Sequence, residues 1–237
     1  MKMIGLIGGI TWQSTILYYS ILNELALNHD SDIESAKCLI HSLEFGEIAR
    51  LQREDNWERL NEIMEDAGAS LAAGGAEVIL ICANTMHLCV EAVKRGGGVP
   101  VIHIAEVTAE AIIQKGLKKV ALLGTKFTME KDFFKDILRQ RGIDVVIPSP
   151  IHRDQIHQII YDELAVGTLT QASKTKHLEV IRDVIEMGAE GVILGCTEIP
   201  LLIQQSDVSV PIFNTTELHA QAAFDRAVAR QHSGQLN

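Results

Sequence analysis

The chain contains an internal repeat, which limits its fold more than any other feature of the sequence. Three apolar segments of the first half each have a counterpart in the second half, in the same order. The matched pairs are KMIGLIGG (2–9) with KVALLGT (119–125), GAEVILICANT (75–85) with GAEGVILGCTE (188–198), and VPVIH (99–103) with VPIFN (210–214). Each match is weak alone, because apolar strands are common, but three in one order predict two related halves.

Each half alternates predicted strands with predicted helices. Residues 3–8 and 38–43 are strand-like apolar runs, whereas residues 57–71 carry apolar side chains at helical spacing. Nearly continuous apolar strands between amphipathic helices indicate parallel sheets that are covered on both faces. We therefore predict an α/β fold with two domains related by a pseudo-twofold axis. Each domain would be a parallel sheet flanked by helices, with an active-site cleft between them.

The chain is expected to change halves twice. The order of the repeats assigns residues 1–101 plus 212–237 to the first half and residues 102–211 to the second. The last predicted helix, from Glu217 to about Arg230, would return to the first half. No linker or charge run separates the halves, so they should pack closely around the cleft.

The composition excludes several classes of partner. Acidic residues outnumber basic residues by 31 to 21, which gives a formal net charge of -10. No Lys/Arg block interrupts this excess, so we expect no nucleic-acid partner. No apolar run approaches the roughly 18 residues that cross a bilayer, and the first residues lack a signal-peptide cleavage site. We expect a cytoplasmic protein with no membrane partner.

Neither a metal nor a cofactor is predicted. The nine histidines include no HxxxH pair on one helical face, and the four cysteines lack the CxxC spacing of metal sites. Without a secretory context, disulfides are not expected either. The glycine-rich segment GLIGG (5–9) lacks the GxGxxG spacing of a dinucleotide-binding loop.

Two loops that follow predicted strands carry the polar residues best suited to chemistry. The segments ICANTMH (81–87) and GCTEIP (195–200) lie at the edge where open parallel sheets bind ligands. In the repeat, Ala83 is the counterpart of Cys196. Because side chains alternate along a strand, Cys82 should point away from the face that Ala83 occupies and should be a core residue.

Cys196 is the candidate reactive residue of the second loop. Gly195 permits a close backbone approach, Thr197 adds a hydroxyl group and Glu198 adds a carboxylate. The N–H groups of the loop, and of a helix that begins there, would favour a thiolate. An isolated cysteine at a strand end is more often structural, but the Asn-Thr pair of the opposite loop favours a functional role.

Several motifs together resemble the aspartate/glutamate racemase superfamily, and within it the broad-specificity or L-specific aspartate/glutamate racemases of bacteria. They are GLIGGITWQST (5–15), CANTMH (82–87), LLGTKFTME (122–130), GCTEIPLL (195–202) and VPIFNTTELHA (210–220). The resemblance implies cofactor-independent racemisation of a small acidic amino acid. In that family one thiolate removes the α-proton and a thiol on the opposite face returns a proton. The resemblance also implies a homodimer.

The resemblance indicates residues for substrate binding. A carbanion formed without pyridoxal phosphate needs donors around its α-carboxylate, a role that suits Asn84, Thr85 and Thr197. Small polar residues in the first strand-to-helix turn suit a carboxylate, although Gly8 and Gly9 are equally compatible with a simple tight turn. The remaining predicted substrate-binding residues are Gly9, Thr11, Trp12, Gln13, Ser14, Arg50, Thr125 and Thr128, and the predicted catalytic positions are Ala83, Thr85, Cys196 and Glu198.

The sequence departs from the family pattern at two positions. Ala83 replaces the first cysteine of the family, whether by natural divergence or by engineering, and an alanine can neither take nor give a proton. Some archaeal-type aspartate racemases bind the distal carboxylate with a lysine, and Ala165 falls near that position here. Arg50 or Arg53, expected in a loop after the second strand, would have to supply the missing positive charge.

A single thiol predicts weak or one-directional racemisation. Cys196 would exchange the α-proton of one enantiomer, and delivery to the other face would need water, Thr85, or His87 acting through water. His87 is equally compatible with a helix start bonded to the backbone. Two alternatives stay open: an enzyme like the single-cysteine arylmalonate decarboxylases, or a non-catalytic amino-acid or dicarboxylate-binding protein. The polar residues 12–14 and 125–128 argue against the apolar pocket that a decarboxylase needs.

Overall fold

The computed structural model describes residues 1–29 and 35–229, in which seven strands form two parallel sheets. The first sheet has the order β2-β1-β3 and consists of β1 (Ile4–Gly8), β2 (Cys38–Ser42) and β3 (Val78–Ile81). The second has the order β5-β4-β6-β7 and consists of β4 (Lys119–Gly124), β5 (Asp144–Val146), β6 (Val192–Gly195) and β7 (Ile212–Asn214).

Helices flank both sheets. They are α1 (Trp12–Asn28), α2 (Phe45–Arg53), α3 (Trp57–Ala73), α4 (Val90–Gly97), α5 (Ile104–Gln114), α6 (Lys126–Glu130), α7 (Asp132–Gln140), α8 (Pro150–Asp162), α9 (Gln171–Glu186), α10 (Ile199–Leu202) and α11 (Thr215–Val228). Short 3-10 helices span Thr85–Cys89, Leu164–Val166 and Gln205–Asp207. In the described parts of the chain, no helix is both long enough and apolar enough to span a membrane.

The two sheets repeat one connectivity, as the sequence repeat predicts. In each sheet the first strand pairs with the next strand of the chain on one side and with the strand before the polar loop on the other. The match extends to a fourth position. In the first sheet Val101 forms a parallel bridge with Ile79 of β3, and at the equivalent place in the second sheet β7 pairs with β6. The predicted α/β fold with two helix-flanked parallel sheets is confirmed.

Side-chain alternation along the strands directs residues to opposite faces of each sheet. Ile81 and Ala83 belong to one core cluster of the first sheet, whereas Cys82 is fully buried in the cluster on the other face. Leu194 and Cys196 likewise share one cluster of the second sheet. The alternation therefore continues through both loops and gives Ala83 and Cys196 equivalent positions, while Cys82 is a core residue.

The C-terminal segment joins both halves. The sequence assigns residues 212–214 to the first half, but β7 pairs with β6 and extends the second sheet. After β7, α11 contacts α1 and α5, and Phe224 joins the core of the first sheet. Residues 230–237, the end of the predicted first half, lie outside the described residues. The division at residues 101 and 211 otherwise remains our proposal.

Candidate active site

A cleft lies where the carboxyl ends of the two sheets meet. Its volume is about 470 Å³, including its opening to solvent. The lining residues are Ile10, Thr11, Phe45, Gln52, Ala83, Asn84, Thr85, Thr125, Ile160, Tyr161, Ala165, Gly195, Cys196, Thr197 and Glu198. All predicted catalytic positions are among them, and both halves contribute.

The loop after β6 holds Cys196 in a confined position. Gly195 has no room for a side chain, because a Cβ atom there would lie 2.7 Å from the carbonyl oxygen of Leu123. Cys196 is only 7% exposed, and the backbone N–H groups of Glu198 and Ile199 donate hydrogen bonds to its sulfur. The thiol is therefore fixed at the wall of the cleft.

The carboxylate of Glu198 collects hydrogen bonds from both halves of the protein. Its Oε2 atom accepts from the Cys196 thiol at 2.9 Å and from the Thr197 hydroxyl at 2.6 Å. Its Oε1 atom accepts from Thr11 at 3.0 Å and from Ser14 at 3.1 Å. Thr11 immediately precedes α1, and Ser14 lies in the first turn of that helix. Glu198 is buried, so these four donors replace the water that a carboxylate would otherwise bind.

The protonation state of Cys196 differs from the sequence expectation. Burial raises the pKa of the thiol well above its ordinary value, and the negative charge of Glu198 raises it further. The hydrogen bonds from the backbone N–H groups act in the opposite direction but are smaller effects. The expectation of a thiolate was wrong because a sequence shows the loop donors but not the burial. The raised pKa favours a Cys196 thiol that donates to the Glu198 carboxylate.

The opposite wall of the cleft has hydroxyl groups but no thiol among the described residues. Ala83 presents its methyl group, and the next residue but one, Thr85, lies at the start of a 3-10 helix. The Thr85 hydroxyl is 2.9 Å from that of Thr125 and 3.3 Å from that of Thr128. Thr125 and Thr128 are 3.2 Å apart, so the three hydroxyls form a closed group that joins the two halves.

Asn84 is oriented by a residue of α11. Its Nδ2 atom donates to the Thr215 hydroxyl at 3.1 Å, and that hydroxyl donates in turn to the Leu194 carbonyl at 2.9 Å. These two hydrogen bonds determine that the Nδ2 end of the Asn84 amide faces Thr215. Among the described residues, the Asn84 Oδ1 atom has no hydrogen-bond partner although it is buried. Asn84, which lines the cleft, thus has an unpaired acceptor atom as well as the predicted donor.

Comparison with known proteins agrees with this arrangement. Residues 7–223 match the family model described as Asp/Glu/Hydantoin racemase. The chain belongs to this family. The matched region contains both strand-end loops and the start of α1, so it includes the whole Glu198 network.

Similar proteins include solved structures and a curated relative. An Asp/Glu racemase candidate from Yersinia pestis is 41% identical, with a TM-score of 0.89 over 97% of this chain and 100% of that chain. An aspartate racemase homologue from Pyrococcus horikoshii OT3 is 38% identical, with a TM-score of 0.83 over the same shares. The broad specificity amino-acid racemase RacX of Bacillus subtilis is 22% identical over 97% of this chain and 100% of its own length.

Six predicted binding residues lie outside the cleft lining, and four of them are Gly9, Trp12, Gln13 and Arg50. Trp12 is 62% exposed, and Arg50 pairs with Glu54 at 2.8 Å with both side chains about half exposed. Gly9 forms a turn with φ 79° and donates its N–H to the Thr15 hydroxyl. Gln13 donates to the Ala165 carbonyl at 3.1 Å. Because these groups have partners or face solvent, Trp12 and Arg50 do not contact the cleft, and Gly9 and Gln13 support its wall.

The side chains of Ser14 and Thr128 lie one layer behind the lining. The Ser14 hydroxyl is 2.5 Å from that of Thr197 and donates to Glu198, whereas Thr128 is fully buried beneath Thr125 and Thr85. Both residues position groups that line the cleft.

Sequence reasoning missed one side of the cleft. Phe45 and Gln52 come from α2, and Tyr161 comes from α8. The rings of Phe45 and Tyr161 stack with centroids 6.5 Å apart, and the Tyr161 hydroxyl donates to Gln52 Oε1 at 3.1 Å. Their positions on amphipathic helices look like ordinary core positions. The one available signal was that α2 begins directly after a strand, at the ligand-binding edge of the first sheet.

Three buried histidines lie behind Ala83. His87 donates from Nδ1 to the Ala83 carbonyl at 2.9 Å and accepts at Nε2 from the Ile104 N–H at 3.2 Å. The rings of His103 and His219 lie 4.9 Å and 5.3 Å from it. Both nitrogens of His87 are therefore occupied by the backbone. His87 is a structural residue at a helix start, and the alternative role as a proton donor was wrong.

These histidines should make the protein sensitive to acid. Burial, the main cause, lowers the pKa of His103 to about 4, that of His219 to about 3, and that of His87 well below its ordinary value. The unfolded chain binds their protons below about pH 6.5 and the folded chain does not. The free energy of unfolding should therefore fall as the pH drops from 6.5 towards 4, by up to about 4 kcal/mol per pH unit.

Urea unfolding at pH 7.5, 6 and 5 measures this slope. His103→Asn is a matched control, because His103 caps α5 by accepting the Ala105 N–H at 3.1 Å and asparagine is a good capping residue. The variant should fold normally at pH 7.5 and show a shallower acid slope. Equal slopes for the two proteins would contradict the assignment.

Proposed function

We propose that the chain is a cofactor-independent amino-acid racemase that removes the substrate's α-proton with Cys196. The observation that carries the proposal is the hydrogen bond from the Cys196 thiol to Glu198 Oε2 at 2.9 Å, in a cleft shared with Ala83. A thiol needs an acceptor for its proton before it can act as a base, and Glu198 is already in place. The family membership and the racemases among its relatives support the same chemistry.

Substrate binding would generate the base. A bound amino acid brings a positive α-ammonium group, which favours a negative sulfur and opposes the effect of Glu198. The unpaired Oδ1 of Asn84 suits that ammonium group as an acceptor. The thiol proton passes to Glu198, the thiolate takes the α-proton, and the hydroxyls of Thr85 and Thr197 stabilise the enediolate-like carboxylate.

Return of a proton to the opposite face has to proceed without a second thiol. Ala83 occupies the position equivalent to Cys196, so water or the Thr85 hydroxyl, in contact with Thr125 and Thr128, must deliver the proton. The proton that Glu198 took from the thiol then returns through water to the hydroxide or alkoxide left behind, which restores the starting carboxylate. An alcohol is a much weaker acid than a thiol. We expect deuterium from solvent to enter one enantiomer, which the family resemblance indicates is L, faster than the amino acid racemises.

Glu198→Gln tests the proton acceptor. We expect α-proton exchange, measured by proton NMR in deuterated buffer, to slow by about 10²-fold, because the amide cannot take the thiol proton. Alkylation of Cys196 by iodoacetamide at pH 8 should become faster in the same variant, since the charge that raises the thiol pKa is gone. A fall in both rates, with an unchanged circular dichroism spectrum, would contradict the proposed role.

A decarboxylase is a second candidate, favoured by one feature of the cleft. The sequence predicted polar walls, but Trp12 faces solvent, and Ile10, Phe45, Ile160 and Ala165 line the cleft instead. An apolar wall can assist loss of CO₂ by desolvating a carboxylate. Release of CO₂ from an arylmalonate without exchange of any amino acid would support this candidate. Binding of an amino acid with neither reaction would support a non-catalytic binding protein.

We further propose that two copies of the chain associate through α1. Trp12, Ile16 and Tyr19 are exposed at helical spacing on one face of this helix, and the exposed Leu201 of α10 lies beside Ile16 in a shallow groove. Burying such a face would stabilise a dimer. Trp12→Glu should convert a dimer into a monomer in sedimentation velocity, whereas Ile151→Glu, at another exposed site, should not.

We also propose that the protein is located in the cytoplasm. All four cysteines are free thiols, and three of them are buried. Proteins of reducing compartments commonly retain such thiols. Detection of the protein only in an extracellular or periplasmic fraction would contradict the proposal.

A further inference from the structure

We propose that the cleft prefers amino acids with uncharged side chains to aspartate and glutamate, and that Gln52, Tyr161 and Ala165 set this preference. The inference rests on the proposed function, since it concerns the substrate of the same site. In the proposed mechanism, the α-carbon lies between Cys196 and Ala83, which both line the cleft. The lining residues from α2, α8 and the following 3-10 helix are left to surround the side chain.

The charge of the lining is the first argument. Glu198 is the one formally charged residue in the lining, which lies wholly within the described residues, and its charge is negative. Arg50, predicted to bind the distal carboxylate, is paired with Glu54 at the surface. Ala165 lines the cleft but brings only a methyl group. A second carboxylate near Glu198 would lose its water and meet no positively charged side chain in the lining, since the exposed Arg53 lies outside it.

The pKa of Tyr161 shows that this end of the cleft destabilises a negative charge. Burial, Cys196 and Glu198 raise the pKa of the phenol to about 12, even though the exposed Arg53 acts in the opposite direction. An anion at the phenol oxygen is thus destabilised by its surroundings. The same surroundings would act on the carboxylate of a bound acidic side chain, because desolvation and nearby negative charge oppose any anion.

The polar groups at this end suit a donor instead. Gln52 is buried, its Nε2 atom contacts the Met86 sulfur at 3.2 Å, and its Oε1 atom accepts from Tyr161. The phenol hydrogen and one of the two hydrogens on Nε2 are engaged, which leaves one N–H of Gln52 and lone pairs on Gln52 Oε1 and on the Tyr161 oxygen, a mixture that suits a neutral amide. The acceptors match an amide N–H or a hydroxyl, and the ring of Phe45, which stacks on Tyr161, would contact aliphatic carbons of a bound side chain.

Two isosteric pairs of amino acids test the preference. We expect kcat/KM for α-proton exchange to be at least about tenfold higher for L-asparagine than for L-aspartate, and likewise for L-glutamine over L-glutamate. Equal values, or higher values for the acids, would overturn the inference and leave the proposed function intact. If no amino acid exchanges, the proposed function fails. Calorimetric binding of the same four compounds to Cys196→Ser then decides the preference separately, with stronger binding of the acids overturning it.

A substitution at Ala165 tests the structural cause. Ala165→Lys should raise the ratio of acidic to neutral exchange by at least about tenfold, because it adds the missing counter-charge. Ala165→Met has nearly the same length without the charge and should leave the ratio within about twofold. Folding is checked by the thermal midpoint of each variant. Similar ratios for the two variants would overturn the assignment of Ala165.

Discussion

Replacement of Cys196 by serine should reduce α-proton exchange by about 10³-fold or more. The cleft holds this thiol 2.9 Å from its proton acceptor, and the equivalent position on the other wall is Ala83. Serine preserves the size of the side chain and the hydrogen bond to Glu198, but an alcohol at neutral pH is too weak an acid to become the base. Proton NMR in deuterated buffer measures the loss directly.

Cys38→Ser is the matched control for this experiment. Cys38 begins β2, is partly buried and does not line the cleft. Its replacement should leave the exchange rate within about twofold. Persistent exchange in Cys196→Ser, after confirmation by mass that no wild-type enzyme contaminates the sample, would show that another group removes the α-proton.

Replacement of Ala83 by cysteine should produce the largest gain. Ile81 and Ala83 lie in phase on the strand, as Leu194 and Cys196 do, so a thiol at position 83 would face the substrate from the other side. Racemisation should increase by about 10²-fold. Deuterium should then enter both enantiomers at similar initial rates, rather than one enantiomer before the other.

Ala83→Ser separates the chemistry of this gain from the added volume. The two variants add one heavy atom at the same position, but serine supplies no acid of useful strength. Circular dichroism of the amino acid measures racemisation in each variant. Equal increases for serine and cysteine, or no increase for cysteine, would contradict the idea that a missing thiol limits the reaction.

The fold and the reactive centre could be predicted because both depend on local patterns. The repeated segments fixed which strands are equivalent, and the period of two along a strand then placed Ala83 opposite Cys196 and Cys82 in the core. Glu198 was found because it is adjacent in sequence to the cysteine that it contacts. Features of this kind need no knowledge of how distant helices pack.

The remaining features depend on packing that a sequence does not display. Tyr161 and Gln52 meet on one side of the cleft although they are far apart in the chain. Arg50 was misassigned because its charge pairs with Glu54 one helical turn away, at the surface of α2. The protonation state of Cys196 was wrong because burial outweighs the loop donors. In each case, the deciding quantity is the exposure of a side chain.

The Glu198 carboxylate should protect Cys196 from oxidation when no substrate is bound. Thr11 and Ser14 from one half hold Glu198, which belongs to the other half and in turn keeps the sulfur protonated. Peroxides and electrophiles attack thiolates far faster than thiols. An enzyme that forms its thiolate only around a substrate is shielded from chemical damage while it stands idle. Stored in air without a reducing agent, the protein should lose activity slowly, and Glu198→Gln should shorten that lifetime.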